Sequence, residues 1–186
     1  MPEKTERLTF LEYGALLAFA ASCRSTCPRA HVGCALFNSE KVVVATGYNG
    51  APPGEAQCDE VGCLMQDGHC VRARHAEDNA CKFAGNRSLV NGYAVTTIRP
   101  CKNCFDYMAR LEIKNMLYLQ DYRNELAKDY IDEACVQKGI RLEKLPLNPV
   151  KLLQKALDFH QGPGGILVSD YRLSIEEQIP PSMMEH

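Results

Sequence analysis

Two short segments of the sequence carry side chains that could hold a metal ion and use it in catalysis. The first is His75-Ala76-Glu77, and the second is Pro100-Cys101-Lys102-Asn103-Cys104. One imidazole and two thiolates are three zinc ligands, and they leave the fourth tetrahedral position open for water, as in catalytic rather than structural zinc sites. We therefore predict a catalytic zinc bound by His75, Cys101 and Cys104.

Glu77 lies two residues beyond His75, on what is expected to be the same first helical turn. Zinc lowers the pKa of a bound water, so that hydroxide exists near neutral pH. A carboxylate at this distance can take the proton of that water and pass it to a ring nitrogen and to leaving ammonia. The order His-x-Glu and then Pro-Cys-x-x-Cys is a signature of zinc-dependent deaminases, and it predicts Glu77 as the catalytic proton shuttle.

Each segment taken alone has a plainer interpretation. A lone Cys-x-x-Cys could be a redox pair or half of a structural zinc knuckle, and a lone His-x-Glu on a helix is usually without function. Their joint occurrence, each at a predicted helix start and separated by one predicted strand, favours the catalytic zinc. Helix N-termini also favour the thiolate forms of Cys101 and Cys104.

The predicted elements place both segments at helix starts. A capping box of Thr9 and Glu12 begins the first helix, Gly85 and Gly139 end later helices, and Pro100 is expected at a first helical position. Helices are expected over residues 9–24, 75–84, 100–111, 124–138 and 150–159, and strands over residues 32–37, 42–46, 93–97, 116–119 and 140–145.

This order of elements predicts an α/β fold, a three-layer α/β/α sandwich around a mixed five-stranded sheet. The first two strands are expected to form an antiparallel hairpin, and the last two, which flank a helix, a parallel pair. We expect a deaminase domain over residues 1–146. Residues 147–186 are expected to form a C-terminal extension, a helix followed by a flexible tail.

Composition limits the partners of the chain. The formal net charge is −2 and there is no basic run, which favours a small substrate over a polynucleotide. The apolar stretch Gly14–Ala21 is too short to cross a bilayer, and the N-terminus lacks the apolar segment of a signal peptide. We therefore expect a cytoplasmic protein with no membrane partner, in which the ten cysteines serve metal binding or chemistry rather than disulfides.

The sequence resembles the deoxycytidylate (dCMP) deaminases of the cytidine deaminase superfamily over about residues 10–145. The resemblance is carried by Thr46-Gly47-Tyr48-Asn49-Gly50-Ala51-Pro52, by the cysteine-rich loop up to Arg72, and by His75-Ala76-Glu77-Asp78-Asn79-Ala80. It implies a cytidine deaminase-like fold, a Zn²⁺ cofactor and hydrolysis of dCMP to dUMP and ammonia.

The resemblance also implies nucleotide contacts at Asn49, Ala76 and Tyr122. Asn-Gly is, however, first of all a turn signal, and Tyr122 could equally be a packed loop aromatic. The sequence departs from the family at Arg99, where members often carry a smaller or apolar residue. A monophosphate needs a cationic partner, and the spacing selects none of four loop arginines, Arg29, Arg72, Arg99 and Arg123.

Family members associate, and the resemblance implies a homo-oligomer, with a hexamer as one form. The C-terminal helix adds apolar side chains at Leu152, Leu153, Leu157 and Phe159; the alternative is that it packs on its own domain. Effectors such as dCTP and dTTP are known in the family, but residues 83–87 do not clearly match an effector site.

A second metal site is expected in the loop between Tyr48 and Arg72. A loop of this length with few apolar residues is more easily ordered by a metal than by burial, and the resemblance implies a structural zinc here in some members. The alternative is a group of reduced, partly buried cysteines. The predicted ligands are Cys27, Cys58, Cys63 and Cys70, with His69 as a substitute for one of them.

Three other functions remain open at this stage. The chain could deaminate another small base or modified nucleotide, such as a modified deoxycytidylate or guanine. A tRNA-editing adenosine deaminase shares the zinc motifs, but the near-neutral charge and the long cysteine loop argue against it. A non-catalytic zinc-binding interaction protein would not need Glu77, since a structural metal requires no proton shuttle.

Overall fold

The structure is a computed structural model, and it describes residues 6–121, 127–162 and 165. The helices are α1 (Phe10–Ser22), α2 (Cys58–Val61), α3 (Ala76–Ala84), α4 (Lys102–Arg110), α5 (Lys128–Lys138) and α6 (Pro149–Gln161). The strands are β1 (Gly33–Phe37), β2 (Val43–Tyr48), β3 (Met65–Gln66), β4 (His69–Cys70), β5 (Tyr93–Ile98), β6 (Asn115–Gln120) and β7 (Arg141–Lys144).

The main sheet has five strands in the order β2-β1-β5-β6-β7. Strand β1 pairs antiparallel with both β2 and β5, whereas β5, β6 and β7 run parallel. The mixed five-stranded sheet, its hairpin and its parallel pair are therefore confirmed.

Two hydrophobic clusters cover the two faces of the sheet. The alternating side chains of β1 separate them, because Cys34 and Leu36 pack with α3, α4 and α5, whereas Ala35 and Phe37 pack with α1 and α6. Each face of β1 is fully buried. This arrangement is the predicted three-layer α/β/α sandwich.

Helix α6 packs on its own domain. Leu152 is buried in the cluster beneath α1, and Lys155 Nζ lies 2.9 Å from Glu12 Oε1. The same Glu12 carboxylate accepts the backbone N–H of Thr9 at 2.7 Å, which completes the predicted capping box. Leu152 therefore packs into the core of its own domain, whereas Phe159 remains 40% exposed.

Helix α3 lies backbone to backbone on β2. A Cβ atom at Gly47 would be 2.4 Å from the carbonyl oxygen of Ala76 and 2.4 Å from the backbone nitrogen of Ala80. Only glycine allows this approach. The contact fixes the start of α3 against the sheet.

Two details of the predicted elements are wrong. The segment between Tyr48 and Arg72, predicted as a loop, contains α2 and the β3-β4 ribbon, which turns at Asp67-Gly68 with positive φ at both residues. The signal was present, since Asp-Gly is a hairpin turn sequence. Pro100 is not the first helical residue of α4, because Cys101 is the N-cap and the helix begins at Lys102.

Parts of other expectations lie outside the described residues. The predicted start of α5 at Asn124 is among them, and so is the C-terminal tail beyond residue 165. In the part of the chain that the structure describes, no helix is long and apolar enough to cross a membrane.

Candidate metal centre and substrate pocket

His75 and Cys101 occupy equivalent positions at the starts of two helices. Each is the N-cap residue of its helix, α3 or α4, with extended backbone (φ −72°, ψ 155° and φ −71°, ψ 167°). Both helices pack on the same face of the sheet, and Cys104 lies in the first turn of α4. The side chain of neither N-cap residue caps its own helix, so both remain available to a ligand.

The three predicted ligands converge. His75 Nδ1 lies 3.5 Å from Cys101 Sγ and 3.4 Å from Cys104 Sγ, and all three ligand atoms lie within 4.8 Å of one another. Tetrahedral zinc with ordinary bond lengths separates nitrogen and sulfur ligands by about 3.6 Å and two sulfurs by about 3.8 Å. The spacing and the donor types therefore fit zinc.

The electrostatics of this group favour a thiolate at Cys101. Hydrogen bonds from Cys104 and from His75 lower the pKa of Cys101 to about 4. The hydrogen bond to Cys101 raises the pKa of His75 to about 9. The pKa of Cys104 is raised, because its thiol donates to Cys101 and is buried. The group thus stabilises the thiolate form of Cys101, one of the three candidate ligands.

Glu77 lies in the same pocket, on the first turn of α3. Its side chain is almost fully enclosed, with 4% of the residue exposed, and burial raises the pKa of its carboxyl group. A raised pKa suits a carboxyl group that must release protons as well as accept them. The structure therefore brings the predicted proton shuttle and the predicted ligands together.

The pocket is a cavity of about 650 Å³, within the usual range for small-ligand sites. Its wall is formed by the loop after α1, by Asn49, by the start of α3 and by the ends of β5 and β6. Ala76 lines it as the first residue of α3, where the backbone N–H has no partner within the helix. Tyr122 and Arg123 lie outside the described residues.

Asn49 lines the pocket, but most of its hydrogen-bonding capacity is used within the protein. Its Oδ1 accepts Ser25 Oγ at 2.7 Å and the Val32 N–H at 2.8 Å, and its Nδ2 donates to the Ala30 carbonyl at 2.8 Å. Both acceptor positions of Oδ1 are filled, and among the described residues one amide N–H is left without a partner. Asn49 therefore orders the loop around the pocket, and its contact with a nucleotide stays a prediction.

Two residues that bond to segments next to the pocket were not predicted from the sequence. Asn79, which is buried on α3, donates from Nδ2 to the Tyr48 carbonyl at 2.8 Å. Gln57 Oε1 accepts from Thr26 Oγ1 at 2.9 Å and from the Ala51 N–H at 3.1 Å. The available signal for Asn79 was an asparagine on the same helical face as Ala76 and Ala80. For Gln57 there was none, since its partners are distant in sequence.

The cysteine-rich loop forms a second compact group of sulfur atoms. The Sγ atoms of Cys58, Cys63 and Cys70 lie within 4.8 Å of one another, with 3.7 Å between Cys58 and Cys70. Burial raises the pKa of Cys58 to about 12, whereas the backbone N–H groups of Ala73 and Arg72 overcome burial and lower the pKa of Cys70 to about 7. Three sulfurs at this spacing fit a zinc ion.

The other predicted ligands of the second site have different positions. Cys27 is buried and close enough for its charge to affect Cys63, but it is not in the compact group. The side chain of His69 lies outside the described part of the structure. All ten cysteines are free thiols, so none of the predicted metal ligands is lost to a disulfide.

The fold and the two groups of candidate ligands define the class as an α/β/α protein with Cys and His side chains whose spacing fits zinc, and comparison with known proteins agrees with this class. Residues 9–120 match the family model of the cytidine and deoxycytidylate deaminase zinc-binding region. ComE operon protein 2 of Bacillus subtilis is 33% identical over 145 residues, covering 77% of this chain and 75% of that protein.

Two further comparisons point the same way. The deoxycytidylate deaminase of Schizosaccharomyces pombe is 35% identical over 117 residues, which are 57% of this chain but only 35% of the yeast protein. The crystal structure of dCMP deaminase from the cyanophage S-TIM5 in complex with dCMP and dUMP superposes with a TM-score of 0.61 at 25% identity, covering 75% of this chain and 100% of the phage chain. The chain belongs to the cytidine and deoxycytidylate deaminase zinc-binding family.

Proposed function

We propose that this protein is a zinc-dependent hydrolase that converts dCMP and water to dUMP and ammonia. The observation that carries the proposal is the convergence of His75, Cys101 and Cys104 at two helix starts with the buried Glu77 beside them. A zinc site that only stabilises the fold has no use for a carboxyl group enclosed in the same pocket. This argues against the non-catalytic alternative.

In this proposal the side chains divide the chemistry between them. His75, Cys101 and Cys104 hold zinc, which when bound supplies an activated water at neutral pH. Glu77 accepts a proton from the attacking water and delivers it to N3 of the cytosine ring. Glu77 then takes the remaining proton from the hydroxyl added at C4 and passes it to the 4-amino group, the bond between C4 and that nitrogen breaks, and ammonia leaves while a carbonyl remains at C4.

The choice of dCMP rests on relatives. A protein named deoxycytidylate deaminase and a phage dCMP deaminase crystallised with dCMP and dUMP are similar to this chain. The proposed nucleotide contacts are Tyr122, the backbone N–H of Ala76 and the amide N–H of Asn49 that has no partner among the described residues. Other small bases and modified nucleotides are the competing substrates.

We further propose that Cys58, Cys63 and Cys70 hold a second, structural zinc, with Cys27 as the candidate fourth ligand. Thiolate ligands persist in a reducing compartment, which supports a cytoplasmic location. Residues 1–146 would form the deaminase domain and residues 147–186 an extension, since β7, the last strand of the main sheet, ends at Lys144 and α6 begins after it at Pro149.

We also propose that the chain forms a homo-oligomer, for which a hexamer is one form. Apolar side chains remain exposed on helices beside the active site, including Phe83 (43%) on α3 and Val136 (84%) on α5. Sedimentation as a monomer at micromolar concentration would contradict association. Regulation by dCTP or dTTP rests on the resemblance alone.

The test of the proposed function is ammonia release from a substrate panel. The purified zinc-loaded protein would be assayed with dCMP, 5-methyl-dCMP, CMP, deoxycytidine, guanine and an adenosine-containing tRNA anticodon stem. We expect the highest kcat/KM with dCMP. A higher value with another panel member would reassign the substrate, and no release from any of them would favour the non-catalytic zinc protein.

A further inference from the structure

Arg99 links the end of β5 to the metal centre. It follows the last residue of β5 directly and precedes Pro100-Cys101, and its backbone N–H donates to the Gln120 carbonyl at 2.8 Å. The side chain is 14% exposed and lines the same pocket as Glu77. An arginine is therefore held at the wall of the pocket, two residues from a predicted zinc ligand.

The guanidinium group of Arg99 is fixed by two contacts. Its Nη2 lies 3.0 Å from Asp132 Oδ1 on α5, and the group lies over the ring of Tyr118, 6.0 Å from the centroid. Among the described residues, the bond to Asp132 uses one of its five N–H donors, and Nε has no hydrogen-bond partner there. Leaving donors unused in a largely enclosed site costs free energy, so their retention points to a ligand.

The charges around the pocket favour an anion. Arg29, Arg74 and Arg99 all line it; of the two acidic residues in its described lining, Glu77 lies beside the candidate zinc ligands and Asp121 forms an ion pair with Lys144. Arg29 is exposed and donates to the Gly68 carbonyl at 3.3 Å, so it is partly engaged by the cysteine-rich loop. Arg99 is the one of the three whose guanidinium is anchored by an ion pair to another helix.

We propose that Arg99 binds the 5′-phosphate of the nucleotide and makes the enzyme select nucleoside monophosphates over nucleosides. The inference rests on the proposed function, because it assumes that the base is bound at the metal centre. Asp132 holds the guanidinium in place, and the free N–H groups form charge-assisted hydrogen bonds with phosphate oxygens. Arg74, which lies directly before His75, provides a second positive charge at the same pocket.

The test compares Arg99→Gln, Arg99→Lys and the wild-type protein with dCMP and with deoxycytidine. Loss of a charged hydrogen bond predicts that Arg99→Gln raises KM for dCMP about 10- to 100-fold, with kcat/KM for deoxycytidine unchanged within about twofold. Arg99→Lys should lie between, because it keeps the charge but loses the bidentate geometry. The matched control is Arg110→Gln, which should behave as wild type. Arg110 lies over the ring of Tyr107, and both of these residues belong to helix α4.

Equilibrium binding of the product separates this inference from the proposed function. The wild-type protein should bind dUMP at least 10-fold more tightly than deoxyuridine, and Arg99→Gln should abolish the difference. This binding measurement tests the role of Arg99 even if no panel substrate is turned over. Absence of turnover would refute the proposed function but not this inference. If Arg99 is only a structural link to α5, Arg99→Gln will lower Tm and weaken both ligands equally, and the proposal is overturned.

Discussion

Gly47 is where strand β2 contacts the backbone of helix α3, so one added methyl group tests whether the position of α3 controls catalysis. In Gly47→Ala the new Cβ would begin 2.4 Å from the Ala76 carbonyl oxygen and 2.4 Å from the Ala80 nitrogen. Non-bonded heavy atoms need about 3.5 Å, so the helix must move by roughly 1 Å. The atoms in the way belong to the backbone, which cannot rotate aside as a side chain can.

That movement would carry His75 and Glu77 with α3 while Cys101 and Cys104 remain on α4. A misplacement of about 1 Å at a reacting centre costs about 100-fold in rate. Overpacking also costs about 1–3 kcal/mol of unfolding free energy, which corresponds to a fall in Tm of about 2–12 °C for a domain of this size. We expect Gly47→Ala to lower kcat/KM for dCMP about 100-fold and to lower Tm within that range.

Gly139→Ala is the matched control for this prediction. Gly139 ends α5 with φ 58°, and a Cβ there meets nothing within 4 Å, so alanine adds backbone strain of about 1–2 kcal/mol without touching α3. The assays are ammonia release under initial-rate conditions and thermal unfolding of both variants. Near-normal turnover by Gly47→Ala, or equal losses of activity in the two variants, would refute the reasoning.

Three other predictions address the shuttle, the helix α6 contact and the second metal. Glu77→Gln should keep the fold and the bound zinc but lower kcat by several orders of magnitude; turnover near wild type would remove Glu77 from the mechanism. The hydrogen bond from Lys155 lowers the pKa of Glu12. This ion pair should therefore add about 0.5–1 kcal/mol to the free energy of unfolding above the ordinary carboxyl pKa, and the addition should be lost as pH falls through the lowered pKa. Urea unfolding should therefore show Lys155→Met less stable than wild type at pH 7 but equal to it near pH 2, and a difference that persists in acid would contradict this assignment. Metal analysis should find close to two zinc ions per chain, and Cys58→Ser with Cys63→Ser should lose one of them; a stoichiometry of one in both proteins would mean that protein contacts alone hold the loop.

Structural features that depend on residues close together in the sequence could be predicted. The Thr9–Glu12 capping box, the glycines after α3 and α5, and the placement of His75 and Cys101 at helix starts are set within a few residues, so spacing reveals them. The α/β/α layers followed from the order of these elements.

Contacts between distant segments were not accessible in this way. Asn49 looked like a substrate ligand or a turn residue, and only its bonds to Ser25, Ala30 and Val32 show how little of its amide remains free. The pairing of Arg99 with Asp132 spans 33 positions and depends on how α5 packs against the sheet. The position of Cys27 outside the compact sulfur group depends likewise on tertiary packing rather than on spacing.

The cysteine-rich loop is closed at its base by bonds that do not involve its cysteines. Gly50 and Arg74 exchange backbone hydrogen bonds of 3.2 and 3.0 Å, and Asn79 holds the Tyr48 carbonyl just before the loop begins. Because Arg74 directly precedes His75, these bonds position the metal ligand relative to the pocket whether or not the loop beyond them is ordered. A second zinc at Cys58, Cys63 and Cys70 would therefore stabilise only the part of the loop beyond the Gly50–Arg74 hydrogen bonds. The geometry of the catalytic centre would depend instead on α3, on its glycine contact with β2 and on these hydrogen bonds at the base of the loop.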